Sequence, residues 1–387
     1  MKKVLVGVCV LLAIFIFVFF IYLPSSLDNK WNSGYAHPPY KASPEAQALH
    51  KTLFIADMHN DSLMWNRDLL KKNERGYIDI PRMREGNIAL QNFTTVTKAP
   101  RGMNIDSNDG STDNITILAV AELWPPATWF SLKNRALYQA RKLHDFAARS
   151  EGKLVVIRSA DDLAKFQERR LKEPGITAGL LGMEGTQVLE GDPGNILVMY
   201  DAGFRMVGLT HFFDNEMAGS MHGVKKEGLT EKGKEMLRLA EQRKMIIDIA
   251  HSSAKTIDDV LTLGTRPPMV SHTGVKGTLN NNRNLSDDLL RRIAAKGGLI
   301  GIGFWEEAIG PITDLKATVR AIRYAVKVAG IDHVGLGSDS DGSVPMPMDA
   351  SGMVLLTDAL LKDGFTGDEV RKIMGGNLAA FYAKWLP

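Results

Sequence analysis

Seven side chains of metal-ligand type each stand where an apolar, strand-like run ends. His59 and Asp61 follow residues 53–56, Glu184 follows 178–183 and His211 follows 206–210. His251 follows 246–250, His272 follows 269–271 and Asp339 follows 334–338. A buried strand ordinarily closes on a turn residue. Repeated endings of this kind point to one site at the strands' C-terminal rim, where (β/α)8 barrels place their chemistry. His59 and Asp61 are two residues apart, so both leave an extended strand on the same side. Imidazole with carboxylate suits zinc and its relatives. Glu184 lies in strand order between that pair and His251 with His272, and its two oxygens suit it to bridging paired cations. The order predicts one ion on His59, Asp61 and Glu184 and a second on Glu184, His251 and His272. Taken singly, each reads more readily as a satisfied core residue. Glu184 between Gly182 and Gly185 then marks a turn, and His251 with Ser252 caps a helix. Together, several ionisable groups at one buried rim are costly without a cation.

His211 and Asp339 are left over from these ligand sets. Hydrolysis by a bridging hydroxide has work for both. A carboxylate takes the proton and passes it to the departing amine, and an imidazole faces the developing oxyanion. Asp341 competes with Asp339 for the first role. Arg283, in the run Asn280-Asn-Asn-Arg-Asn284, has the planar fork that pairs with a substrate carboxylate, and reads equally as a solvated loop arginine. Among the other histidines, His333 opens the last strand at the opposite face and His144 sits on a solvated helix. His37 and His50 fall in a linker. His222 lies in a Gly-rich loop, where it lines the site or does nothing.

These residues need a frame that brings strand ends together. From Lys51 onward, strand-like and helix-like stretches alternate, the pattern of a parallel sheet with crossover helices. Eight strands can be placed: the run before His59, residues 88–96, the runs ending at Glu184, His211, His251 and His272, then 298–304 and 334–338. An insertion after the second strand holds a loop over 102–114, an amphipathic helix over 132–148 and a short extra strand over 154–157. Helices are expected over 196–201, 229–243, 253–263 and 315–329, and Ser286 caps another with Asp287 and Asp288 in its first turn. The predicted class is α/β, a (β/α)8 TIM-like barrel. An open doubly wound sheet is the alternative, and eight strand–helix units suit closure better.

Bulk composition excludes other chemistry. A net charge of +3 from 47 basic and 44 acidic residues gives no basic stripe, so nucleic acid is not an expected partner. The one cysteine, Cys9, excludes intramolecular disulfides and thiolate metal sites. It lies in an uncharged run, Val4 to Leu23, which at about 1.5 Å per residue matches the roughly 30 Å hydrocarbon core of a bilayer. Residues 1–3 then form a cytoplasmic stub, 4–23 a transmembrane signal anchor, 24–50 a linker and 51–387 the catalytic barrel. An uncleaved anchor fits better than a cleaved signal peptide. The run is long, rich in Phe and followed by Tyr22-Leu-Pro-Ser-Ser, not by a small-x-small cleavage site. Either way Lys2 and Lys3 stay in the cytoplasm and the remainder is exported.

In chain order, Asp57-Met-His-Asn-Asp61, Gly182-Met-Glu-Gly185, Leu209-Thr-His211, Asp248-Ile-Ala-His251, Val270-Ser-His272, Arg283-Asn-Leu-Ser-Asp-Asp288, Gly337-Ser-Asp-Ser-Asp-Gly342 and Gly375-Gly-Asn377-Leu resemble the motifs of the membrane (renal-type) dipeptidases. The resemblance covers about residues 51–387. It implies a (β/α)8 barrel, commonly a homodimer, that binds two Zn2+ (Co2+ and Mn2+ being chemically suited too) and cleaves the single peptide bond of dipeptides. Some members accept a D-residue in second position or open β-lactam rings. By the same resemblance His59, Asp61, bridging Glu184, His251 and His272 are the metal ligands. His211 is a substrate and oxyanion contact, Arg283 the partner of the dipeptide's C-terminal carboxylate and Asp339 the proton carrier. The chain departs from the pattern at Ser340, where many members carry an aromatic residue that shapes the pocket wall. It also has an N-terminal apolar segment in place of the C-terminal lipid and disulfides of animal members. A bacterial-style exported enzyme is implied, periplasmic in a Gram-negative cell, with secretion after signal cleavage as the alternative. Two rival readings are another metal-dependent amidohydrolase, acting on N-acyl amino acids, lactones or β-lactams, and a non-catalytic membrane-tethered binding protein. The first commonly begins with H-x-H and bridges with a modified lysine; the second would lack a ligand, and none is missing.

Overall fold

Among the described residues, nine parallel strands follow one another: β1 (Ile55–Asp57), β2 (Ile88–Phe93), β3 (Leu154–Val156), β4 (Thr177–Glu184), β5 (Phe204–Gly208), β6 (Ile246–Asp248), β7 (Met269–Thr273), β8 (Leu299–Ile302) and β9 (Val334–Leu336). The computed structural model describes residues 2–34, 36–312 and 314–387. The strand order is β2-β1-β9-β8-β7-β6-β5-β4-β3, and a further β2–β4 pairing closes the ring. Eight strands therefore form the expected closed barrel. The ninth, β3, is the short extra strand: it pairs Leu154 with Thr177 through Val156 with Gly179, along the first residues of β4. Further along, β4 is handed to β5, starting at Leu181 and Phe204.

Strand β4 is buried at every residue, as a parallel strand covered on both faces must be. Side chains pointing into the barrel fill its lower half, including Met58, Leu90, Leu180, Met206, Ile246 and Leu299. The last helix, Asn377–Trp385, closes that end with Leu378 and Tyr382 in the same cluster. The upper half is left to polar groups. Glycine is required where strands crowd: a Cβ on Gly337 would lie 2.0 Å from the Ser271 carbonyl oxygen, so only glycine lets β9 lie this close to the end of β7.

Most crossover helices start on a hydroxyl cap. Ser131, Ser159, Thr230, Ser253 and Ser286 each accept from a first-turn backbone N–H. The helix Leu132–Arg149 packs its Ala136, Ala140, Leu143 and Phe146 stripe on the barrel. The insertion after β2 also contains a helix the sequence pattern does not announce, Asn114–Ala121. Residues 24–50, read as linker, include the helices Leu23–Trp31 and Pro44–His50. His50 is buried there, bonded to Thr357 Oγ1 at 2.8 Å and the Gly86 carbonyl at 3.2 Å.

Candidate active site

The ladder of β1 stops at Asp57, two residues short of His59. The backbone nonetheless stays paired to the β9 side, with Met58 N–H donating to Leu336 O and Asp61 N–H to Ser340 O, both at 2.9 Å. His59 and Asp61 consequently emerge on the same side, 3.5 Å apart (Nε2 to Oδ1). Glu184 is the last residue of β4. Its Oε1 lies 3.5 Å from His59 Nε2, 3.2 Å from His251 Nε2 and 3.5 Å from His272 Nε2. Tetrahedral zinc with bonds of 2.0–2.1 Å sets neighbouring ligand atoms roughly 3.3 Å apart, which is this spacing. His251 Nε2 and His272 Nε2 are closer, at 2.8 Å. Glu184 Oε2 is 3.4 Å from His211 Nε2 and has no hydrogen-bond partner. Asp339 completes the ring, its Oδ1 3.7 Å from His59 Nε2. All seven ligand-type residues thus meet at one rim, and all are buried.

Other side chains orient this cage. The Thr94 hydroxyl donates to Asp61 Oδ1 at 2.5 Å. Ser271 Oγ lies between two imidazoles, 3.2 Å from His59 Nδ1 and 2.9 Å from His272 Nδ1, so both rings turn Nε2 inward. Arg283 donates to the His272 carbonyl at 2.9 Å and packs over Trp305, while its Nη1 is buried without a partner. Asp341 faces away. It pairs with Arg67 at 2.8 Å and accepts from Tyr77 N–H at 2.7 Å, so it is already spent on structure. Three of these residues hold left-handed backbone, His251 (φ 59°), Asp339 (φ 63°) and Asp341 (φ 64°), a conformation costing non-glycine residues about 1 kcal/mol or more and typical of functional rims.

Electrostatics argue for a cation. Burial would depress the His59 imidazole, yet Glu184, Asp61 and Asp339 together push it up to about 10. Burial, reinforced by Asp61, drives Glu184 well above the usual carboxylate range. Burial also raises Asp339 to about 8, with Asp61 adding to the effect and His59 and Arg283 opposing it. His251 and His272 go the other way, depressed first by burial and then by neighbouring cationic groups. Three crowded carboxylates, one imidazole driven by them to hold a proton and two imidazoles kept neutral form a donor set that calls for positive charge at its centre. The atoms fit the need. Within the described residues, three sets have ligand atoms all within 4.8 Å of one another: His59 with Asp61 and Glu184, Glu184 with His211 and His251, and His59 with His272 and Asp339.

Comparison with known proteins gives this geometry its family. A sequence profile of the membrane dipeptidases (peptidase family M19) matches residues 43–381. The chain belongs to the membrane dipeptidase family. It is 26% identical over 360 residues to dipeptidase aclJ of Aspergillus oryzae, covering 87% of this chain and 79% of that one. Among solved structures, a Rhodobacter sphaeroides metallopeptidase bound to a phosphinate mimic of L-Ala-D-Ala superposes with TM-score 0.68 at 24% identity, covering 87% of this chain and all of that one (100%). The probable dipeptidase PvdM of Pseudomonas aeruginosa superposes with TM-score 0.73 at 20% identity over 88% of this chain and 98% of its own. These superpositions speak for the fold.

In this membrane dipeptidase the sequence alone undervalued four residues. His222 is fully buried, stacked on Phe212 with ring centroids 4.7 Å apart and 5.1 Å from the His251 ring. Thr94, Ser271 and Trp305 also shape the site, and none carries a ligand-type side chain that would draw notice. The Ser271 position beside His272 was the one available signal. His333 and His144 serve as carbonyl partners, to Gly298 and Ala202, and belong to none of the three ligand sets.

Proposed function

We propose that the protein is a zinc dipeptidase in which two ions share Glu184, one held also by His59 and Asp61 and the other by His251 and His272. The observation that carries this is Glu184 itself. One of its oxygens stands within 3.5 Å of three imidazoles from three strand ends, and the other is buried with no donor. When bound, the cations supply Lewis acidity, polarising a carbonyl and lowering the pKa of water. The chain's own residues do the rest. Arg283, whose free Nη1 is buried in the cleft wall, receives the C-terminal carboxylate of the dipeptide and fixes the register of the peptide bond. His211, in the same cleft, faces the carbonyl oxygen as negative charge develops on it. Asp339, whose carboxylate looks into the cage 3.7 Å from His59 Nε2, takes the proton from the attacking water and returns it to the leaving amine.

Support for a membrane anchor is an apolar helix near the N-terminus, Lys2–Trp31, which among the described residues is the one long and apolar enough to cross a bilayer. The catalytic domain then lies outside the cytoplasm, since Lys2 and Lys3 flank the span on its inner side. Family membership supports a homodimer. The test of function is hydrolysis of an L,L and an L,D dipeptide by the zinc-loaded protein before and after chelation. Both substrate cleavage and its loss on chelation are expected. Activity on N-acyl amino acids or lactones with none on dipeptides would favour the amidohydrolase rival.

A further inference from the structure

We infer that the membrane-proximal helix Leu23–Trp31 is a wall of the substrate site, and that the enzyme prefers dipeptides carrying a long apolar side chain. The inference rests on the dipeptidase reading above. One continuous helix runs from Lys2 to Trp31. Its apolar portion through Leu23 accounts for the roughly 30 Å of a bilayer's hydrocarbon, so Pro24 stands where the lipid interface begins. From that point the helix lies on the barrel instead of leaving it.

Asp28 is buried and sits 3.3 Å from Arg67 Nε, and Arg67 in turn holds Asp341, two residues past Asp339. Asn32 donates to Asp28 at 2.9 Å and accepts from Ser343 N–H at 3.0 Å. Tyr77 hydroxyl donates to the Ser33 carbonyl at 2.7 Å. The segment is therefore fastened to the loop that carries the proposed proton carrier.

Leu23, Pro24, Leu27 and Trp31 line the same cleft of about 700 Å³ as Glu184 and Arg283. Leu27 packs against an apolar cluster that includes Trp65, Val96, Ile115 and Leu118, and all four of these also line the cleft. A dipeptide of small residues reaching from Glu184 to Arg283 leaves this wall facing water. A long aliphatic side chain covers it. Burying each added methylene is worth about fourfold in kcat/KM until the wall is filled.

The test uses the full chain, zinc-loaded, in lipid nanodiscs, with two series, Gly-Xaa and Xaa-Gly, in which Xaa bears a straight alkyl side chain of increasing length. Each kcat/KM is taken relative to Ala-Ala. In at least one series the ratio should rise by about fourfold per methylene. Leu27→Asp and Trp31→Ala should each reduce the ratio for the longest substrate about tenfold, while Leu27→Met should preserve it. A ratio flat with chain length, or unchanged in both Leu27→Asp and Trp31→Ala, overturns the inference while leaving the dipeptidase intact. Absence of hydrolysis of every dipeptide, Ala-Ala included, overturns the reading beneath it as well.

Discussion

Asp339 and Asp341 show how much one residue's surroundings decide. They are two apart, both buried and both in left-handed backbone, yet only Asp339 looks into the cage. Asp341 is committed to Arg67 and the Tyr77 amide. Sequence alone left the two as competitors, because nothing in Gly337-Ser-Asp-Ser-Asp-Gly342 distinguishes them. We predict that Asp339→Asn retains its metal and lowers kcat about 10²–10⁴-fold, the usual worth of a positioned proton carrier. Metal content and kcat measured on one preparation check this, and an unchanged kcat would move the role elsewhere. The ligand types themselves were legible because a His, Asp or Glu ending an apolar run breaks the strand's own logic. Thr94 and Ser271 were not, since a hydroxyl that orients an imidazole or carboxylate looks like any other strand serine or threonine.

At the scale of elements, strands were readable from apolar runs and several helices from their caps. The helix Asn114–Ala121 was not, because Ile115-Thr-Ile-Leu-Ala-Val-Ala121 is apolar on nearly all sides and shows no helical period. The helix Pro44–His50 was hidden for another reason, since seven residues are too few to display a face. Its docking makes a prediction. Burial lowers the His50 imidazole to about 4, against 6.5 when exposed. A depressed pKa means the folded state binds fewer protons than the unfolded one between those values. Its stabilising contribution is therefore complete above pH 6.5 and is lost as pH falls toward 4. The full swing is about 3 kcal/mol. Thermal unfolding followed from pH 7 to 4 should fall more steeply for the wild type than for His50→Gln. Parallel curves would show that His50 does not contribute.

For the molecule as a whole, barrel closure was legible from eight strand–helix units, because parallel strands need crossovers and crossovers need length. The path of residues 24–34 over the rim was not, since its fastenings join positions hundreds of residues apart, as Asn32 to Ser343 does. We predict that the full chain stays with the bilayer after alkaline extraction and keeps its original N-terminus. A soluble mature form beginning after the apolar run would instead indicate a cleaved signal. The proposed sharing of Glu184 between two ions is the centre of the account, and elemental analysis of the purified wild type beside Glu184→Ala addresses it most directly. Two equivalents of zinc with dipeptide hydrolysis in the wild type, and loss of both metal and activity in the variant, is the expected result. Two equivalents retained by Glu184→Ala would contradict a carboxylate bridge.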